Sequence, residues 1–160
     1  MRQRFRPKRV RVLFVGEAPP ASGRFFYHAD SGLYRAIRDT FVAAFPDLRK
    51  SDFLDSFQSL GCYLIDLCET PVDRMTASSR RRICQAGEAR LAQRILQLHP
   101  HTIVTVVRSI GRIVRQAEQH AGWSGRHIEL PYPGRWHHYR EQFRRELTPI
   151  LRATLAAAQS

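Results

Sequence analysis

The chain contains few cysteines, and their spacing is not that of a metal or disulfide framework. Cys62, Cys68 and Cys84 form an odd number and include no pair at C-x-x-C spacing. A disulfide framework uses paired cysteines, and a four-cysteine zinc or iron–sulphur site needs one more than the chain has. We therefore expect no cofactor and a location in the reducing cytoplasm.

Long hydrophobic runs are lacking too. The longest apolar stretches fall far short of the ~20 residues that a membrane-spanning helix needs. The basic segment "MRQRFRPKRVRV" leads straight into a strand with no small-residue cleavage site, so it is not predicted to be a signal peptide. The Walker and G-x-G-x-x-G motifs of nucleotide-binding proteins are missing. The G-x-S-x-G motif is missing too, so acyl-transfer chemistry has no support. We expect no membrane association.

Acidic residues are scarce beside basic ones. The 14 acids face 26 basic residues, of which only Lys8 and Lys50 are lysines, and the formal net charge is +12. A GC-rich genome would explain arginine in place of lysine, but it would not explain the excess of positive charge. An excess of this size favours a polyanionic partner, most simply nucleic acid.

The segments that are present alternate between strand and helix patterns. The 160 residues, 43% of them hydrophobic, suffice for one globular domain over 1–160 with its own core. Apolar periodicity predicts helices near 33–45, 53–60, 83–98, 110–121 and 135–158. Strands are predicted at Val10–Gly16, Cys62–Leu67, Thr102–Val107 and His127–Leu130. This alternation predicts the α/β class, as a three-layer α/β/α sandwich with a central, mainly parallel four-stranded sheet.

Ligands of such sheets bind beyond the carboxyl ends of the strands. The segments "GEAPP", "DLCETP", "RSIG" and "PYPGRW" follow the four predicted strands and should line one rim. Glu17 comes directly after the first strand, which favours a ligand-facing role over that of an exposed turn acid. Phe25 and Phe26 could equally pack in the core or stack on a ligand.

The segments "VLFVGEAPP", "FFYHADSGLY" and "LPYPGRW", in this order, resemble motifs of the uracil-DNA glycosylase superfamily. Its first motif is a strand ending in a G-E-A-P-G or G-x-N-P-G turn, and its last is a loop rich in Pro and Ser/Gly. The resemblance covers nearly the whole chain and implies hydrolysis of the N-glycosidic bond of a base flipped out of DNA. Three features depart from it: the four cluster cysteines are missing, Leu130-Pro131-Tyr132 replaces His-Pro-Ser, and Ser31 replaces an Asn.

The resemblance also implies roles for individual residues. Glu17 is expected to position the attacking water, and Asp30 is the second candidate acid. A role in capping the next helix is the alternative for Asp30 or its neighbour Ser31. His28 could contact a phosphate or the departing base, or be purely structural. The residues expected to bind the base are Gly16, Ala18, Phe26, His28 and Asp66.

Asp66 stands where the superfamily has an Asn that closes over the base. An amide can donate and accept, and so it matches N3–H and O4 of uracil, whereas an ionised carboxylate only accepts. Asp66 therefore predicts poorer recognition of uracil, unless burial protonates the carboxyl group. A structural hydrogen bond at the strand end is the alternative role.

The closing segment "LPYPGRWHHYREQFRR" is expected to contact DNA. The residues expected to contact DNA are Tyr132, Gly134, Arg135, Trp136 and Arg140. Tyr132, Arg135 or Trp136 could be the wedge, and Arg140 and Arg144 could contact phosphates. Adjacent His137 and His138 diverge by ~100° on a helix, so no metal site is predicted. Arg80-Arg81-Arg82 and the basic N-terminus are interpreted as solvated faces that add to the electrostatic footprint.

We therefore expect a monomeric DNA glycosylase that acts on uracil or another deaminated or damaged base. A catalytically silent member that binds single-stranded or damaged DNA is the alternative. An enzyme acting on a free nucleoside or nucleotide is a third hypothesis, but such a small substrate would not require a net charge of +12.

Overall fold

The computed structural model describes residues 2–156, and its centre is one parallel sheet. The strands are β1 (Val12–Gly16), β2 (Cys62–Asp66), β3 (Thr102–Thr105) and β4 (Arg126–Glu129). Their order is β2-β1-β3-β4, and every neighbouring pair is parallel. All residues of β1 and β3 are buried, as expected of strands that are covered on both faces. The predicted strands are confirmed, each to within two residues.

Six α-helices surround the sheet within the described residues. They are α1 (Gly32–Ala44), α2 (Phe53–Ser59), α3 (Ala77–Ala86), α4 (Glu88–Leu98), α5 (Gly111–His120) and α6 (His137–Leu155). Helix α1 packs against α6 and α4 packs against α5, which builds the helical layers of the α/β/α sandwich. The predicted fold class is therefore confirmed. Over residues 2–156, no helix combines the length and the apolarity that crossing a membrane requires.

The prediction of one helix over 83–98 is wrong, because α3 and α4 are separate helices that meet at Gly87. The Gly87 N–H donates to the carbonyl oxygens of both Ile83 and Cys84, and a Cβ at Gly87 would overlap the carbonyl oxygen of Leu67. Helix α3 also begins earlier, at a Thr76 cap whose hydroxyl accepts from the Ser79 N–H. The last helix, α6, begins at His137, two residues later than predicted. Residues 157–158 of the predicted helix lie outside the described residues.

An aromatic cluster connects the middle of the sheet to the carboxyl end of β1. The ring of Phe14 lies 5.6 Å from that of Phe57 and 6.3 Å from that of Phe41, measured between centroids. Phe26 joins the same cluster at 5.2 Å from Phe57. The segment that follows β1 is therefore held rigidly against the core.

Candidate functional site

A cavity of about 390 Å³ opens at the carboxyl ends of the strands. Its walls include residues 16–20 after β1, Asp66 at the end of β2, Val106 and Val107 after β3, and Tyr132 after β4. Three of the four predicted rim segments thus contribute to one cavity, whereas "RSIG" does not line it and the residues just before it, Val106 and Val107, do. The size falls in the usual range of small-ligand sites, ~300–1,000 Å³.

Glu17 lies in this cavity as half of an ion pair with Arg80 of α3. The Arg80 Nε donates to Oε2 of Glu17 at 2.9 Å, and the Arg80 Nη2 donates to Oε1. The Glu17 side chain is 14% exposed, and the Sγ of Cys84 lies 3.7 Å from its Oε2. The carboxylate is therefore gripped by both oxygens, as in a bidentate pair. Sequence reasoning missed Arg80, because a run of three arginines looks the same whether it is solvated or paired.

Asp66 forms the second ion pair of the site. The Arg2 Nη2 donates to its Oδ2 at 3.0 Å, and the Arg2 guanidinium lies 5.4 Å from the centroid of the Phe25 ring. Burial raises the pKa of the Asp66 carboxyl to about 6, and the charge of Arg2 opposes this rise. Burial also raises the pKa of Tyr132, and the negative charge of Asp66 adds to that effect. The N-terminal segment thus contributes a side chain to the site, although the sequence favoured a solvated face.

Gly16 lets the Asp66 carboxylate approach the backbone at the end of β1. A Cβ at Gly16 would lie 2.7 Å from Oδ1 of Asp66. Two hydrogen bonds continue the pairing of β1 and β2 past the strand ends. The Leu67 N–H donates to the Gly16 oxygen and the Cys68 N–H donates to the Glu17 oxygen, both at 2.8 Å. Among the hydrogen bonds of residues 2–156, none is donated by the Ala18 N–H.

Phe26 belongs to both the core and the cavity wall. It is buried against Phe57 and Tyr34, and it also lines the cavity together with Phe25. The two alternatives considered for these aromatics are therefore compatible. A ring that is fixed from behind by the core can present its other side to a ligand.

Asp30 and His28 are exposed and do not line the cavity. The Asp30 Oδ1 accepts from the Phe25 N–H at 2.7 Å, so this acid stabilises the aromatic segment. The His28 ring lies 5.2 Å from that of Phe25. Ser31 supplies the helix cap, since its hydroxyl accepts from the Tyr34 N–H at 3.1 Å. Ser31 also lines the cavity.

The closing loop, residues 130–136, and the first turn of α6 carry the exposed large aromatic side chains of the described residues. Tyr132, Trp136 and Tyr139 are each more than two-fifths exposed, and Tyr132 also lines the cavity. The Arg135 guanidinium lies 5.6 Å from the Trp136 ring, and the Arg140 Nη1 donates to the Arg135 carbonyl at 2.9 Å. Gly134, just before Arg135, has φ +52°, a left-handed conformation that glycine adopts without strain. The cavity wall includes Tyr132 of this segment, but it does not include Gly134, Arg135, Trp136 or Arg140.

Two of the cysteines lie beside the site. The Sγ atoms of Cys68 and Cys84 are 3.4 Å apart, and burial raises the pKa of both thiols, that of Cys84 to about 12. Across the described part of the chain, no group of three or more His, Cys, Asp or Glu residues is placed to hold a metal ion.

Comparison with known proteins identifies the family of the chain. A profile described as Uracil DNA glycosylase superfamily matches residues 3–154. The search of curated proteins finds no match. Because the match covers nearly the whole chain, the protein belongs to the uracil DNA glycosylase superfamily, whose members are in general DNA glycosylases.

Proposed function

We propose that the protein is a DNA glycosylase that hydrolyses the N-glycosidic bond of uracil or another deaminated or damaged base flipped out of DNA. The observation that carries the proposal is the position of Glu17, a carboxylate inside a cavity that has an aromatic wall. Membership of the superfamily and the net charge of +12 support the same activity.

The cavity offers the contacts that a flipped base needs. Phe25 and Phe26 provide an aromatic wall, and Phe26 is fixed by the core behind it. Asp66 lines the same cavity and presents a carboxyl group to the edge of the base. The Gly16–Ala18 backbone lines the same cavity, and its N–H groups are the donors that we assign to the departing base.

The reaction breaks the bond between C1′ of the sugar and the ring nitrogen of the base. The electron pair leaves with the base, where backbone N–H groups stabilise the negative charge. Glu17 orients the water whose oxygen forms the new bond to C1′, and its negative charge favours the cationic sugar. The proton lost by the water ends on the departing base, so the products are the neutral base and an abasic sugar.

The closing loop is the part of the surface that we propose to contact DNA. Tyr132 lines the cavity and is half exposed, and Trp136, four positions later in the sequence, is 59% exposed. One of these rings would fill the space that the flipped base leaves, while Arg135 and Arg140 contact phosphate.

A panel of oligonucleotides tests the proposal. Each oligonucleotide carries one modified base, and abasic sites are scored after alkali treatment. The protein should produce abasic sites from at least one base, and Glu17→Gln should lower that rate by about 10²-fold or more while DNA binding persists. Asp30→Asn tests the second candidate acid, which lies outside the cavity. If both variants cleave as fast as the wild type, a carboxylate is not the catalytic group.

One observation favours the alternative of a catalytically silent DNA-binding member. Both oxygens of Glu17 and one oxygen of Asp66 are already paired with arginines. A silent member would bind the panel with affinities that depend on salt and would cleave none of its bases.

A further inference from the structure

We propose that Arg80 is a positioning residue, which fixes the Glu17 carboxylate in the geometry that orients the attacking water. This inference rests on the proposed glycosylase activity. It assigns a function to a side chain from the polar helix α3, 63 positions away from Glu17 in the sequence.

The geometry of the ion pair leaves room for a water molecule. A carboxylate has about four lone-pair directions, and the two donors of the Arg80 fork occupy one on each oxygen. The Cys84 thiol donates to Oε2 as well, so the second lone pair of Oε1 is the one that can accept from a water in the cavity. Because the guanidinium is planar and rigid, binding both oxygens fixes the rotation of the carboxylate as well as its position.

The surroundings restrict the Glu17 carboxylate further. The Sγ of Cys84, which is also on α3, lies 3.7 Å from Oε2, so one helix contacts the carboxylate through two side chains. Helix α3 is held at its end by Gly87, which packs on the Leu67 carbonyl just past β2. The contact at Gly87 therefore helps to set the position of α3, and with it the position of Arg80 and of the Glu17 carboxylate. That position matters, since an error of about 1 Å in a reacting group can cost ~10²-fold in rate.

The neighbours of Arg80 provide an internal comparison. Arg81 and Arg82 are exposed, and the Arg82 Nη2 contacts only the Ser79 hydroxyl, at 3.4 Å, among the hydrogen bonds of the described residues. Of the three arginines, Arg80 lines the cavity. Its side chain is 41% exposed, so contact with a DNA phosphate is the competing role.

A double-mutant cycle separates these roles. Single-turnover cleavage of the base that the wild type removes best is measured for the wild type, Arg80→Ala, Glu17→Gln and the double variant. Affinity for the same DNA, salt dependence and melting temperature are measured alongside. Arg81→Ala is the matched control, and Arg80→Lys keeps the charge but not the fork.

We expect Arg80→Ala to lower the cleavage rate about tenfold or more with little change in affinity, and to have no further effect when Glu17 is already Gln. Arg80→Lys should be intermediate, and Arg81→Ala, which removes a charge of the footprint but no contact with Glu17, should keep the wild-type rate of single-turnover cleavage. If the rate loss of the double variant equals the product of the two single losses, Arg80 and Glu17 act independently and the positioning role is overturned. The role is also overturned if Arg80→Ala lowers the affinity for DNA and the salt slope but leaves the cleavage rate unchanged, because that result would show a phosphate contact.

If Arg80→Ala does not fold, Arg80→Lys decides the question, because a rate equal to that of the wild type would show that the fork is not needed. A wild-type protein that cleaves no base would overturn the proposed function itself and this role with it, whereas an active wild type with independent effects overturns the role of Arg80 alone.

Discussion

The hydroxyl of Tyr27 forms two hydrogen bonds with the backbone of Leu64. It donates to the Leu64 carbonyl oxygen at 2.9 Å and accepts from the Leu64 N–H at 2.7 Å. Strand β2 is at the edge of the sheet, so these two groups have no strand partner on that side. Tyr27 thereby caps the edge strand and also anchors the segment that carries Phe25 and Phe26.

Tyr27→Phe should lower the free energy of unfolding by about 1–3 kcal/mol, because it leaves a buried N–H and a buried C=O without a partner. Denaturant unfolding measures the loss, and Tyr139→Phe, which changes an exposed tyrosine, should alter stability by less than about 0.5 kcal/mol. Equal stability of Tyr27→Phe and the wild type would mean that water replaces the hydroxyl at no cost.

Trp136→Ala and Tyr132→Ala should each weaken binding of DNA. Loss of one stacked ring costs about 1–3 kcal/mol, which corresponds to tenfold or more in affinity. The melting temperature should stay unchanged, because both rings are at least half exposed. Fluorescence anisotropy at several salt concentrations measures the affinity, which should fall log-linearly as salt rises.

Leu96→Ala is the matched control for the aromatic variants, since Leu96 is an equally exposed hydrophobic residue on α4. If it weakens binding as much as Trp136→Ala does, the closing loop is not the DNA contact. Affinity that does not change between low and physiological salt would contradict the nucleic-acid interpretation of the charge.

The sheet and the end of it that carries the cavity were predictable from the sequence, because buried parallel strands are short apolar runs whose carboxyl ends share one edge. Glu17 followed from this rule, since it comes directly after β1. The start of α3 was not predictable from periodicity, because its sequence ASSRRRICQA buries one residue, Cys84. The break at Gly87 depends on its contact with Leu67, which lies in another part of the chain.

The two arginines of the site could not be predicted, for a different reason. Arg2 and Arg80 come from runs of basic residues, and composition alone does not distinguish a paired arginine from a solvated one. Their partners lie 64 and 63 positions away, so only the folded chain brings the charges together. Asp30 is the opposite case, because it is close to Glu17 in the sequence but lies outside the cavity. Its carboxylate accepts from the Phe25 N–H there.

The stability of the protein should depend on pH through Asp66. Its pKa rises from 3.8 to about 6 on folding, mainly because the carboxyl group is buried. The folded state therefore binds the proton more tightly than the unfolded state, and the contribution of Asp66 to stability falls as pH rises from about 4 to above 6. The loss should be on the order of 2–3 kcal/mol.

Unfolding free energies of the wild type and Asp66→Asn, measured from pH 4 to pH 8, test this dependence. The unfolding free energy of the wild type minus that of Asp66→Asn should decline as pH rises from about 4 to above 6, and should then stay constant. Asp55→Asn, which changes an exposed acid on α2, is the control and should follow the wild-type curve. A constant difference between wild type and Asp66→Asn would show that the Asp66 carboxyl does not titrate in this range.

Asp66→Asn should also change which base is removed. Above about pH 6 the wild-type carboxylate is ionised and can accept from N3–H of uracil, but it opposes the O4 oxygen. A mismatch of two acceptors in a dry cavity costs about 1–3 kcal/mol. The Asn oxygen can still accept from Arg2, which leaves its NH₂ group to donate to the base.

Excision of uracil by Asp66→Asn should therefore rise about tenfold or more at neutral pH, since each 1.4 kcal/mol is a factor of ten. The rate is measured against a panel of other deaminated bases, with the melting temperature determined on the same preparation. A catalytically silent DNA-binding protein would gain no activity, because no chemical step is limited by this contact. If Asp66 serves the scaffold alone, base preference stays as in the wild type while the melting temperature falls. That combination of results would contradict the contact between Asp66 and the base.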